Sequence, residues 1–402
     1  MAKRYFGDWL KAYVEYASHT EAPKRMHFWS GVSAIAGALR RRVWLDMAYF
    51  KWVPNFYIVF VAPPGIVSKS TTVAVAMDIL RMVPGINFGP QVVTWPSLVT
   101  AFASCNEEFD IGDGVYESQA AMTLESSEFG NLVNPSDREM IDLLVTLWDS
   151  KQGAFKKMTK TAGEDTVVNP WINLIACTTP TWISGNFPDY VIGGGFTSRC
   201  VFVYAEKKFK MVAYPHLNVP KDLASKKALL AHDLEIISSI IGPYSLTSEA
   251  IEWGTKWYED HYTKRHTHLE DDRFGGYLAR KQTHIHKLAM VLSAAQRSDR
   301  IISAADLALA NTMVTDLEKD LPRVFSRIGR TEESIAAERF IRYVQLHKTV
   351  PYEEAYRFIH LSIPGYRDFE NMMIGAIRSG YIRLDHTEKG AFVVAVEGKP
   401  DI

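Results

Sequence analysis

A parallel α/β fold, its sheet covered on both faces by helices, is predicted for residues 51–207 by two features, and a third sets the tail apart. Phe56-Tyr57-Ile58-Val59-Phe60-Val61 is apolar at every position, as a strand buried on both faces must be. Strand-like runs alternate with helical ones from Val43 to Tyr204, the pattern of a sheet whose crossovers are helices. After residue 330 the texture changes to three helices followed by two strand-like runs around a polar turn.

In chain order, residues 1–50 read as a helical N-terminal segment. Its two helices over 5–42 are separated at His19–Pro23, where Pro23 suits a first helical turn. Leu39-Arg40-Arg41-Arg42 puts cations at a helix C-terminus, where the dipole favours them, and this is preferred to a DNA-binding patch. Residues 51–207 form the core. After the strand at 56–61 come a helix over 69–83, a short strand Val92-Val93-Thr94, and a helix from Pro96 to Asn106. A polar loop, a strand at Ala120–Leu124 and a helix at Ser136–Trp148 follow. A charged hairpin at 153–168 precedes strands at Ile172–Cys177 and Cys200–Tyr204. Residues 208–329 read as helices, a lid region whose clearest member is Arg273–Arg297, and Ile328-Gly329-Arg330 reads as a linker to residues 330–402.

The bulk numbers fit two or three soluble domains: 402 residues, 47% hydrophobic and 23% charged. A formal net charge of −1 excludes a global basic field, so a nucleic-acid partner would have to be met by a local patch. Cys105, Cys177 and Cys200 have no metal-ligand spacing and read as reduced thiols of a cytoplasmic protein. Neither a signal-peptide block nor a membrane-spanning run is present, so no membrane partner is expected.

The candidate chemistry begins after the first buried strand. Pro64-Gly65-Ile66-Val67-Ser68-Lys69-Ser70-Thr71 is a turn leading into a helix that opens with Lys-Ser. Backbone N–H groups there can cradle phosphates, Lys69 can neutralise the β and γ charge of ATP, and Ser70 can hold Mg²⁺. Aligned on the lysine, Pro63 and Ser68 stand where the usual pattern has glycines. A serine beside the lysine is costly if the loop demands a positive φ there.

Three further elements follow in the order a phosphate-binding-loop ATPase requires. An apolar strand ends in Glu125-Ser126-Ser127-Glu128. Glu128 is assigned as the base that polarises the attacking water and Ser127 to the magnesium side, with Glu125 as the competing base. Thr178 and Thr179 end the next strand, where a hydroxyl can reach the γ-phosphate or its water. Arg199, just before the last strand, stands where an arginine can reach a neighbouring subunit's γ-phosphate. On the lid helix, Arg280 and Lys281 could act on the nucleotide in cis, or could be solvated helix charges.

The order APPG…SKST, LESSEFGNL, charged hairpin, ACTTP and TSRCVFV resembles the AAA+ P-loop ATPase module. More narrowly, it is similar to helicase-like ATPases of phages and prophages found with primase–polymerase domains, and to minichromosome-maintenance helicases. The resemblance spans about residues 20–300 and implies a DNA helicase or translocase that forms a ring, taken as a hexamer, with a primase, polymerase or initiator as a further partner. It also implies that the 153–168 hairpin grips DNA phosphates, which assigns Lys160 to the tip contact, with Lys156 and Lys157 secondary. The three helices and two strands of the tail read as a winged helix, for DNA or for protein docking. The altered loop and Ser127 leave a rival: a nucleotide-gated DNA-binding scaffold or loader that hydrolyses ATP weakly.

Overall fold

In the computed structural model, which describes residues 3–159, 163–193, 195–325, 332–388 and 390–396, the chain forms two units, Met1–Ser326 and Arg327–Ile402. The expected linker Ile328–Arg330 lies outside the described residues.

The first unit is mixed α/β. Helix α1 (Trp9–Ala17) stacks Trp9 on Tyr13 along its buried face. Helix α2 (Lys24–Leu39) closes on it at Gly31, where a Cβ would meet Leu10 and Tyr13 at 2.6 and 2.7 Å. Strands β1 (Val43–Asp46) and β2 (Lys51–Trp52) lead to β3 (Tyr57–Val61), buried at every residue as its composition requires. Helices α3 (Lys69–Leu80) and α4 (Trp95–Ala103) are followed by β4 (Asn106–Gly112) and β5 (Val115–Ser126). Next come α5 (Phe129–Leu132), α6 (Arg138–Trp148), β6 (Ala154–Thr159), β7 (Gly163–Val168) and β8 (Pro170–Thr178). Helices α7 (Pro180–Asn186) and α8 (Asp189–Gly193) precede β9 (Cys200–Tyr204).

The main sheet has the order β4-β5-β8-β3-β9. Strands β5, β8, β3 and β9 are parallel, and β4 pairs antiparallel with β5.

Two expectations about this sheet are corrected. No strand forms at Val92–Thr94. The chain instead touches β5 earlier, through a parallel bridge between Phe88 and Thr123 whose flanking bonds are Gly89 N to Thr123 O and Thr123 N to Asn87 O, both 2.9 Å. The expected polar loop before Ala120 is the hairpin β4–β5. Its charges had masked an alternation that turns Phe109 inward, and Asp113-Gly114 is a turn signal between the strands.

The region after β9 is less purely helical than expected. Helices α9 (Leu223–Ser238), α10 (Ser248–Thr263), α11 (Gly275–Gln296), α12 (Ala304–Glu318) and α13 (Leu321–Phe325) are interrupted by β10 (Gly242–Leu246) and β11 (Ile301–Ile302). These join β1 and β2 in a second sheet, β11-β10-β1-β2. The pairing of β1 with β10 ties the N-terminal segment to the expected lid within one unit.

The arginines after α2 are structural. Arg40 bonds Gly85 O and Glu107, Arg42 approaches Glu107 at 3.5 Å, and Arg41 bonds the Ser150 carbonyl. They therefore fasten the β4–β5 hairpin and the end of α6 to the core, rather than simply complementing a helix dipole.

The second unit runs α14 (Glu332–His347), β12 (Thr349–Pro351), α15 (Tyr352–Ile359), α16 (Tyr366–Arg378), β13 (Ile382–Thr387) and β14 (Gly390–Ala395). Its antiparallel sheet has the order β12-β14-β13. Phe340, Val344, Ile359, Phe369 and Val393 are buried in its own core. Among the described residues no helix is long and apolar enough to cross a membrane.

Candidate functional site

The strand order defines where a ligand would sit. From β3 the chain crosses to β5 on one side, returns to β8 between them, and then passes β3 to reach β9 on the other side. The order therefore reverses between β3 and β8, and open α/β sheets bind ligands at the carboxyl ends of strands at such a point. Val61 is paired with Thr178 and with Tyr204, and Ser126 with Ala176. The loop after Val61, the Ser127-Glu128 pair and Thr178-Thr179 consequently emerge at the same end of the sheet.

The loop after β3 leads into the N-terminus of α3. Gly65 takes a φ of +70°, and Pro64, Gly65 and Ile66 are exposed while Val67 is buried as an anchor. Ser68 takes a φ of −57°, so the strain expected for a serine at this position does not arise. Its side chain does not cap α3, which leaves the first-turn N–H groups, those of Lys69, Ser70 and Thr71, without an intrahelical or capping acceptor. Ser70 and Thr71 are exposed at that end.

Lys69 folds back over the loop. Its Nζ donates to Ala62 O at 2.8 Å and Pro63 O at 3.4 Å. Partial burial lowers its pKa, while Cys177 and Glu128 act against that shift. Glu128 therefore lies within electrostatic reach of the lysine.

The two carboxylates differ. Glu125 is held by Arg81 at 2.6 Å. Glu128 is exposed, starts α5 without capping it, and has no ion-pair partner among the described residues. Ser127 is exposed beside it, whereas the Ser126 hydroxyl turns back to the Glu128 carbonyl at 2.7 Å. The two threonines also separate. Thr179 caps α7 by accepting from Trp182 N at 3.1 Å. Thr178 is buried, and its hydroxyl makes no hydrogen bond among the described residues.

Arg199, expected as a finger for a neighbouring subunit, is engaged within its own chain. It is 6% exposed, bonds both oxygens of Asp149 at 2.9 and 3.0 Å through Nη2, and donates to Gly195 O at 2.8 Å. Its guanidinium also lies over the Trp148 ring. Reaching another chain would break all of these bonds. Beside it, the Lys287 ammonium sits 3.5 Å from the centre of the Trp148 ring and donates to Asn55 Oδ1 at 2.6 Å. Burial, the largest cause, takes its pKa well below the usual lysine value. Sequence reasoning missed this cluster, although a lysine among Ile285, Leu288, Ala289 and Leu292 was a signal for it.

Arg199→Ala should therefore lower the urea unfolding midpoint by the equivalent of about 1–3 kcal/mol. Mixing this variant with Lys69→Ala chains should restore no nucleotide turnover. Unchanged stability with recovery on mixing would return Arg199 to a role between subunits.

The lid candidates also divide. Lys281 is committed to Glu318 at 2.6 Å in the interior, with the Tyr277 hydroxyl on the same carboxylate, so it is neither a solvated helix charge nor available to a nucleotide. Arg280 is half-buried and bonds Gly276 O at 3.3 Å. Burial lowers its pKa, helped by Arg199 and opposed by Asp149.

On the β6–β7 hairpin, Lys157 is used internally. It donates to Pro96 O at 3.0 Å, lies over the Trp95 ring and approaches Asp165 at 3.9 Å, contacts that a phosphate would have to replace. Lys156 is exposed, and Lys160 lies outside the described residues. Among the described residues no group of three His, Cys, Asp or Glu side chains could hold a metal ion. Comparison with protein-family models and with curated proteins finds no match to this chain.

Proposed function

We propose that the chain is an ATP-hydrolysing motor of the AAA+ P-loop class that works on DNA. The observation that carries this reading is the switch point between β3 and β8, with an uncapped lysine-led helix, a carboxylate and a buried threonine hydroxyl brought to one end of the sheet. In this reading the α3 N-terminus and Lys69 bind the phosphates of ATP. Glu128 orients and deprotonates the attacking water, and Thr178 positions it while Thr179 holds the end of α7. The Ser70 hydroxyl and Ser127 would hold Mg²⁺, which when bound neutralises phosphate charge. A site of hydroxyls and phosphates, without a protein carboxylate cage, suits that ion.

DNA enters the reading through two features. The β6–β7 hairpin, with Lys156 and Lys160, lies in the chain between the carboxylate strand and β8. In this reading the second unit, built as helix, strand, two helices and hairpin, serves as a winged helix. The scaffold or loader reading is favoured by one observation: Arg199 is paired with Asp149 in its own chain.

ATP turnover by the full chain, with and without DNA, separates the two. The motor requires turnover that DNA raises several-fold. The loader requires DNA affinity that depends on ATP while turnover stays at background. A chain with neither property is outside both readings.

A further inference from the structure

The connection from β9 to α9 carries an exposed apolar run set among lysines. Between Tyr204 and Leu223 it is irregular apart from a short helical turn at Pro215–Leu217, and connections of this length without regular structure are usually functional. Phe209 is 58% exposed, Met211 90%, Tyr214 63% and Leu217 72%. Single exposed apolar side chains need no explanation, but four between Phe209 and Leu217 do. The run is fastened in place by Glu21. Its carboxylate takes Lys208 at 2.7 Å and accepts from Val212 N at 3.1 Å, and its carbonyl accepts from Phe209 N at 2.9 Å.

The charges around the run do not cancel. Lys208 is spent on Glu21, Lys226 pairs with Asp222 at 3.6 Å, and Lys227 and Arg81 share Asp78. Arg25 pairs with Asp320. Lys207, Lys210, Lys221 and, from the start of α2, Lys24 are exposed and have no ion-pair partner among the described residues. Glu206 is the one carboxylate of the connection left unpaired among them. The Lys24 ammonium lies 5.8 Å from the centre of the Phe209 ring, which sets a cation beside the apolar run.

We propose that the Lys207–Leu217 segment is a reversible binding surface for an anionic lipid bilayer. The apolar tips enter the boundary between headgroups and acyl chains, and the lysines reach the anionic headgroups with their stems along the apolar side chains. Neither signal holds a protein on a bilayer alone, and the segment supplies both. Each lysine near such a surface strengthens binding about fivefold. The bonds to Glu21 order the run beforehand, which lowers the cost of docking. A single nucleic-acid strand would use the same lysines and the rings of Phe209 and Tyr214. It gives no role to Met211 and Leu217, the most exposed of the four, which have no π face. The contact lies on the bilayer and needs no spanning helix. It goes beyond the motor reading and does not rest on it.

The test is flotation of the full chain, without nucleotide, on vesicles of phosphatidylcholine alone and of phosphatidylcholine mixed with phosphatidylglycerol. The wild type should float with the mixed vesicles, bind the neutral ones about a hundredfold more weakly, and come off as salt rises. Lys207→Gln with Lys210→Gln should lose about thirtyfold in affinity for the mixed vesicles. Met211→Ser with Leu217→Ser should lose about tenfold or more and keep the salt dependence. All four side chains are exposed, so thermal unfolding midpoints should match the wild type.

A wild type that does not float, equal binding to both vesicles, or serine variants that bind like wild type would each overturn the proposal. So would a wild type that ignores vesicles yet binds a single-stranded oligonucleotide through Lys207 and Lys210, since the segment would then be a nucleic-acid surface. Flotation without ATP turnover would keep this surface and remove the motor reading, and turnover by a chain that ignores vesicles would do the reverse.

Discussion

Replacing Lys69 by alanine should weaken ATP binding by about a hundredfold or more, close to 2.7 kcal/mol. The lysine is the only cation in the first turn of α3, and its ammonium already leans on two loop carbonyls. Those carbonyls are weak partners for a charge, whereas phosphate oxygens are strong ones. The group is thus poised to exchange neutral acceptors for anionic ones without moving far. Partial burial raises the worth of that exchange, because the lowered solvent screening that depresses the lysine pKa also strengthens its attraction to phosphate. Isothermal titration with ATP measures the loss. The variant should keep its fold, since its two carbonyl bonds lie at the edge of an exposed loop. Affinity unchanged within twofold would mean that the loop after β3 does not hold the phosphates.

Much of this site was legible in the sequence because it is local. A strand apolar on both faces, a glycine turn and a lysine-led helix follow one another in sixteen residues, and each leaves its own signal between Phe56 and Thr71. The places of Glu128 and Thr178 were legible for the same reason: one follows the end of a strand and the other ends one. What escaped depends on partners far along the chain. Arg199 had the right place in the motif order, and nothing near it announced Asp149, fifty residues earlier, as its bidentate partner. The second sheet joins β1 to β10 across some two hundred residues; the run from Val43 reads as a strand, but nothing near it announces β10 as its partner. The β4–β5 hairpin read as a loop because Glu107, Glu108 and Asp110 are poor strand formers. Pairing of Glu107 with Arg40 and Arg42 offsets that preference, and the pair exists only in the folded chain.

The choice between the two carboxylates yields the other large effect. Glu128→Gln should bind ATP within about twofold of wild type yet lose turnover by about 10²–10³-fold, the range for removal of a general base. Glutamine keeps the size of the side chain and its place at the start of α5, and it cannot take a proton. The small change in binding is expected because removing a negative charge near Lys69 and the phosphates, if anything, favours the anion. Glu125→Gln should behave differently. Its carboxylate faces Arg81, itself 41% exposed on its side chain, so its loss should cost about 0.5–1 kcal/mol of stability and leave turnover within a few-fold. Steady-state turnover with equilibrium ATP binding, measured on both variants, gives the comparison. A dead Glu125→Gln beside an active Glu128→Gln would show that Arg81 releases its partner in the working enzyme and that the base sits within β5. Equal loss in both would mean that the carboxylates act as a unit, with Arg81 setting which of them is free.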